Sequence, residues 1–249
     1  MPSRLTALTF DAHDPVRLAE FWARLLGRGA VEEVDGVVLP GSATQLGLRF
    51  VVSAEPKVGQ NPMHLHLTST SAEDQHSIVE TALRLGASHL DVGQLPEEEH
   101  VVLADPEGNE LCVIEPGNAY LAGCGFLGEL TCEGSRDVGL FWADALGWPM
   151  VWDQGAQTAI QSPRGGTKVS WDDPGGTPKH RNRQRFDLTV GGGDLDGEVD
   201  RLVALGATRI RSVEGDAVEL ADPDGNAFRL RSGVRAGGLR GVAQPRSCE

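Results

Sequence analysis

Two histidines two residues apart stand in the stretch Met63-His64-Leu65-His66-Leu67. Alternating apolar and polar residues mark a strand, whose period of two puts both imidazoles on one face and Leu65 and Leu67 on the other. Imidazole takes up a proton or ligates a metal near neutral pH, so this face is where acid–base chemistry is sought first. The same parity over 5–11 puts Thr9 and Asp11 opposite Leu8 and Phe10, and after Asn109 it puts Cys112 opposite Leu111 and Val113. In the second half, Glu129, Thr131, Arg185, Asp187, Glu219, Arg229 and Arg231 fall on the polar faces of their strands.

Each group also has a plainer reading. Two histidines on one strand face also simply hydrogen-bond each other, a carboxylate and water. Cys112 reads first as a small buried apolar residue. Three arginines among three carboxylates read first as salt bridges that fill a concavity, since burying such charges unpaired costs roughly several kcal/mol each, and second as a pocket for an anionic ligand whose carboxylate or phosphate Arg229 or Arg231 clamps.

The strands carrying these residues belong to a duplicated frame. Glu20-Phe21-Trp22-Ala23-Arg24-Leu25-Leu26-Gly27 returns as Leu140-Phe141-Trp142-Ala143-Asp144-Ala145-Leu146-Gly147. Leu85-Gly86-Ala87 returns as Leu205-Gly206-Ala207, and Ala104-Asp105-Pro106-Glu107-Gly108-Asn109 returns as Ala221-Asp222-Pro223-Asp224-Gly225-Asn226. Three landmarks in one order and register mean two copies of one fold. Within each copy, a strand, a helix and short strands occur twice. Asp14 caps one helix with Pro15 in its first turn, and Gly27 ends it. Trp22 and Trp142 read as core, while Trp148, Trp152 and Trp171 read as lining a cavity or an interface.

These motifs resemble the vicinal oxygen chelate superfamily, the glyoxalase and bleomycin-resistance relatives. The resemblance rests on Asp-Pro before a Phe-Trp-Ala helix, the His64-Leu-x-Leu strand, the Leu-Gly-Ala helix ends and the Asp-Pro-(Glu/Asp)-Gly-Asn turns. It implies an α+β fold of two tandem glyoxalase-like domains, over 1–117 and 126–232, with a loose tail over 233–249. Each domain is expected to comprise two βαβββ units forming a cupped eight-stranded mixed sheet, the two units of one half closing together. The resemblance also implies ligand positions for one divalent ion on the concave faces. In the first half these read Ala7, His64 and Cys112, with nothing suitable near Leu48 and Arg49; in the second they read Leu127, Arg185 and Arg229. Arginine stays protonated and does not ligate. His64 is then the only strong ligand, so no cofactor is expected, although a divalent ion in the first domain is left open.

Three functions follow. The first is capture of a small organic molecule in the first domain's cup, without a metal, as resistance-type relatives do. The second is a lyase, isomerase or cyclase acting on a carbonyl-bearing molecule, with His64 as base, Asp11 orienting it, and Thr9 or His66 placing the substrate. The third is a non-catalytic interaction module. Thr9, Asp11, His64, His66, Cys112, Glu129, Arg185, Asp187, Trp171 and Arg229 are the expected ligand contacts.

Bulk composition narrows the partners. The 249 residues carry a formal charge of −14, which argues against nucleic acid and against anionic membranes. No apolar run approaches the length of a membrane span, and a cytoplasmic location is expected. Cys112, Cys124, Cys132 and Cys248 lack Cys-x-x-Cys spacing, so free thiols are expected. Whether the halves pair within one chain or across a homodimer is left open.

Overall fold

The computed structural model describes residues 3–95, 97–172, 182–192, 194–213 and 216–233. Of the expected tail only Gly233 is among them, and the Gly/Pro stretch after Asp172 lies outside them. Four βαβββ units follow one another. The first has β1 (Arg4–Ala12), α1 (Pro15–Leu26), β2 (Val31–Glu33), β3 (Gly36–Leu39) and β4 (Gly47–Val52). The second has β5 (Met63–Leu67), α2 (Ala72–Arg84), β6 (Ser88–His89), β7 (Val101–Ala104) and β8 (Glu110–Val113). The third has β9 (Leu127–Glu133), α3 (Arg136–Leu146), β10 (Met150–Gln154), β11 (Gln157–Gln161) and β12 (Lys168–Asp172). The fourth has β13 (Gln184–Thr189), α4 (Leu195–Ala204), β14 (Thr208–Val213), β15 (Ala217–Ala221) and β16 (Ala227–Arg231).

Two eight-stranded mixed sheets result, within one chain. The first runs β14-β15-β16-β13-β1-β4-β3-β2 and the second β10-β11-β12-β9-β5-β8-β7-β6. The α+β architecture therefore stands, but the partners within each sheet differ from expectation. Units one and four share the first sheet, and units two and three share the second. The joins are antiparallel, β1 to β13 with Leu8 opposite Phe186, and β5 to β9 with Leu65 opposite Leu130. Both depend on residues far apart in sequence, so local periodicity carries no sign of them.

The units of one half are bound differently, through the repeated motifs. Trp22 on α1 donates its indole N–H to Asp105 at 3.1 Å, and Trp142 on α3 donates to Asp222 at 3.3 Å. Glu107, in the same turn as Asp105, accepts from the backbone N–H groups of His13 and Asp14 at 2.9 and 2.7 Å, just ahead of α1. Asp224 does the same for Ser135 at 2.6 Å. The Asp-Pro turn of one unit thus anchors the helix start and the tryptophan of the unit before it. Helix ends obey local rules: Asp14 accepts from Arg17 N–H, and Gly27 and Gly147 close α1 and α3 at φ +63°. Trp22, Trp142, Phe10, Phe50, Phe186 and Phe228 fill the common core.

Candidate functional site

The cross-half pairing sorts the expected site residues into two separate cups. The second sheet gathers His64, His66, Cys112 and Glu129. On β5, His66 is in register with Cys112 of β8 on one side and with Glu129 of β9 on the other. His64 lies opposite Thr131. His66 Nδ1 is 2.8 Å from a Glu129 carboxylate oxygen, whose other oxygen accepts from the Tyr120 hydroxyl, also at 2.8 Å. The rings of His64 and His66 are 4.9 Å apart. Ligating atoms of His64, His66 and Cys112 all lie within 4.8 Å of one another.

Burial and these contacts set the charges. Burial and the neighbouring His66 push His64 down to about 3, with His100 adding to the depression. Burial opposes charge on His66, yet hydrogen bonds to Cys112 and Glu129 outweigh it and raise this imidazole to about 10. Glu129 is held below the ordinary carboxylate range, although burial works the other way, by hydrogen bonds from His66, Ser170 and Tyr120. An imidazolium–carboxylate pair beside a neutral imidazole is the result.

Asp11 and Thr9 are not in this cup. They lie on β1 in the first sheet, where Thr9 is opposite Arg185 and Asp11 binds Arg185 at 2.6 Å. The expected His64–Asp11 dyad is therefore corrected. His66 is the imidazole with a carboxylate partner, and Glu129 is that carboxylate. Conversely, Glu129 does not join Arg185, Asp187 and Arg229; those three stay with Thr9 and Asp11 in the first cup. Arg49, on β4, is paired there with Glu33 at 2.7 Å and with Asp35.

Part of the second cup is filled. Val102, Cys112, Ile114, Leu121 and Cys124 form an apolar cluster separate from the main core, with Leu121 and Cys124 coming from the segment between the halves. Open space lies towards the third unit, as a cavity of about 320 Å³ lined by Tyr120, Glu129, Thr131, Trp152, Gln157 and Ser170, among others. Trp171 reaches its margin but is only 2 % exposed and belongs to the core. Tyr120 and Trp152 meet edge to face at 5.7 Å, and the Lys168 ammonium sits 4.0 Å above the Tyr120 ring. Tyr120, Ser170 and Lys168 were absent from the sequence-based site. Tyr120 is the chain's one tyrosine, placed in an Ala- and Gly-rich connector, and that isolation was the available signal.

The donors fit one kind of metal. Two imidazole nitrogens and a thiol suit a borderline ion such as Zn²⁺, whereas Mg²⁺ requires oxygen ligands. Glu129, bonded to Nδ1 of His66, stands where a carboxylate orients a metal-binding imidazole. The structure thus offers more donors in one place than the sequence placed there, because Cys112 and both histidines converge.

The sequence profile of the glyoxalase-like domain family matches residues 7–114 and again 129–231. No curated protein matches the chain in sequence. Among solved structures, glyoxalase I from Zea mays is similar at a TM-score of 0.68 and 14% identity, over 92% of each chain. A putative dioxygenase from Bacillus subtilis is similar at 0.58 and 14% identity, over 93% of this chain and 85% of that one. At such identities the likeness concerns the fold.

Proposed function

Because the chain belongs to the glyoxalase-like domain family, we propose that it binds a small, partly aromatic organic molecule in the cup of the second sheet. The observation that carries this reading is the convergence of His64, His66, Cys112, Glu129 and Tyr120 beside a cavity of about 320 Å³. That volume lies within the range of small-molecule sites. Trp152 and Tyr120 offer ring surface, while Thr131, Gln157 and Ser170 supply neutral hydrogen-bonding groups. Capture or sequestration requires nothing more.

A second reading, lyase or isomerase chemistry on a carbonyl-bearing molecule, is favoured by the 2.8 Å contact between His66 and Glu129. Glu129 orients the ring through Nδ1, and the charged imidazole, beside Cys112, is the group that would hold or pass a substrate proton. His64 then positions the substrate. Neither reading needs an ion. If Zn²⁺ binds, His64, His66 and Cys112 would hold it, and it would polarise a carbonyl oxygen as a Lewis acid.

A calorimetric screen of aromatic and carbonyl-bearing small molecules against wild type, Trp152→Ala and His66→Gln tests both readings. Binding that weakens in W152A supports capture in this cup. Product formation lost in H66Q, with affinity within a few-fold of wild type, supports turnover. Binding unaffected by either substitution, or no binding by any compound, removes the proposal.

A further inference from the structure

The first sheet's cup, which the proposed function does not use, has its own polar hollow. A cavity of about 590 Å³ opens there, lined by Asp11, Asp35, Asn182, Arg185, Arg211, Glu219, Asp224 and Arg229 together with small and aliphatic residues. Four carboxylates face three guanidinium groups, so what matters is which of these charges already have partners. Asp11 is bound by Arg185 at 2.6 Å, Glu219 by Arg211 at 2.7 Å, and Asp35 by Arg49. Asp224 accepts from the backbone and hydroxyl of Ser135 at 2.6 and 2.8 Å. Every lining carboxylate is therefore committed. Arg229 is different: among the described residues no carboxylate approaches its guanidinium within ion-pair distance, and its buried Nε has no acceptor. Its strand neighbours Asp187 and Glu219 are in register with it, but Asp187 faces Arg49 and Arg231 at 3.8 and 3.7 Å.

Unbonded donors outnumber unbonded acceptors on this floor, although Asp187 Oδ1 and Thr9 Oγ1 are also buried without a hydrogen bond. Nε of Arg49, Arg185 and Arg231 and the Asn182 amide nitrogen are also buried without a hydrogen bond, Arg49 Nε having only its 3.8 Å ion pair with Asp187. Buried N–H groups are normally paired, so an array of charged donors around an open cavity signals an acceptor that belongs there. Burial and the like charges of Arg185 and Arg231 hold the Arg229 pKa below its ordinary range, a strain that an anion would relieve. The overall charge of −14 does not gather anions, so the attraction is local.

We infer that the first cup is a second binding site, for a small organic anion whose carboxylate or phosphate group is clamped by Arg229 with help from Asn182. Isothermal titration of the full chain at low ionic strength, with inorganic phosphate in one arm and succinate in the other, tests this. Saturable one-to-one binding of at least one probe is expected, weakened about tenfold or more in Arg229→Gln, since a charged hydrogen bond is worth that much. His66→Gln, which alters only the second cup, should bind like wild type, and this separates the inference from the proposed function. The phosphate and succinate arms distinguish the two head groups. If neither probe binds saturably, or if R229Q binds as tightly as wild type, the cup is a salt-bridge network filled with water and the inference is wrong.

Discussion

His66 and Glu129 lie 2.8 Å apart although they belong to different sequence repeats, on strands that meet only where units two and three join. Their contact is both a seam of the fold and the centre of the second cup. Glu129 also holds the Tyr120 and Ser170 hydroxyls, so its removal strands three polar groups at once. Glu129→Ala should therefore cost about 3 kcal/mol or more, as breaking a buried ion pair does. Glu129→Gln, whose amide oxygen still accepts from one of these donors while its NH2 can donate to the Tyr120 oxygen, should cost less than the alanine. Urea unfolding of the two variants decides it; equal losses would show that the carboxylate's charge alone, and not its shape or its hydrogen bonds, holds this seam.

The Asp-Pro turns predict a pH dependence. Asp105 accepts from the backbone of Glu107 and Asn109, from the Asn109 amide and from Trp22. Burial nevertheless outweighs these bonds and raises its carboxyl from the ordinary 3.8 to about 6. Asp222 stands the same way, also at about 6. A carboxyl whose folded pKa is raised binds its proton more tightly when folded. Its contribution is fully present below the unfolded value and is lost as pH rises through the folded one. Asp105→Asn cannot titrate, so wild type should gain on it by up to about 3 kcal/mol as pH falls from about 7 to about 4. A gap between the two unfolding free energies that is flat across this range would refute the assignment.

Metal binding gives a third prediction. The cluster of His64, His66 and Cys112 should take one Zn²⁺ or Co²⁺ per chain when the ion is added. Cys112→Ser should weaken it about tenfold or more and should abolish the thiolate-to-cobalt absorption. Uptake of either ion that is identical in wild type and C112S would place the ion elsewhere.

Much of this architecture was legible in the chain and some was not, for identifiable reasons. The Phe-Trp helices, the glycine helix ends and the Asp-Pro turns are local patterns, and each appears where its spacing put it. Strand parity also held: Thr9, His64, His66, Cys112, Glu129 and Arg185 all lie on the cup faces of their strands. What parity does not contain is which strand lies next to which. His64 and Asp11 stand in the same repeat, which makes them look like neighbours, yet β5 pairs with β9 and β1 with β13. The same long-range pairing hid Tyr120 and Ser170, whose roles depend on the third unit closing over the second. The arginines of the first cup were correctly grouped with Asp187, but their stoichiometry was not readable, because Arg49 comes from the other half and Arg229 is left without an ion-pair partner among the described residues.

The pairing scheme makes a last prediction, about half of the chain. Units three and four repeat units one and two in sequence, and the sheets join one with four and two with three. A fragment ending near residue 122 contains only units one and two, so β1 lacks β13 and β5 lacks β9. Both strands would expose an unpaired edge, which is a strong drive to associate. A second copy of the same fragment supplies what is missing: its unit two takes the place of unit four, and its unit one that of unit three. Two such joins around one two-fold axis rebuild both sheets, with a closed, self-complementary interface. The fragment should therefore elute as a dimer in size-exclusion chromatography with light scattering. Mixing it with the complementary second half should convert it to a one-to-one heterodimer, since that pairing restores Leu65 opposite Leu130 and Leu8 opposite Phe186. A fragment that is folded, monomeric and indifferent to the other half would show that each repeat closes on itself, and the cross-half sheets would have to be abandoned.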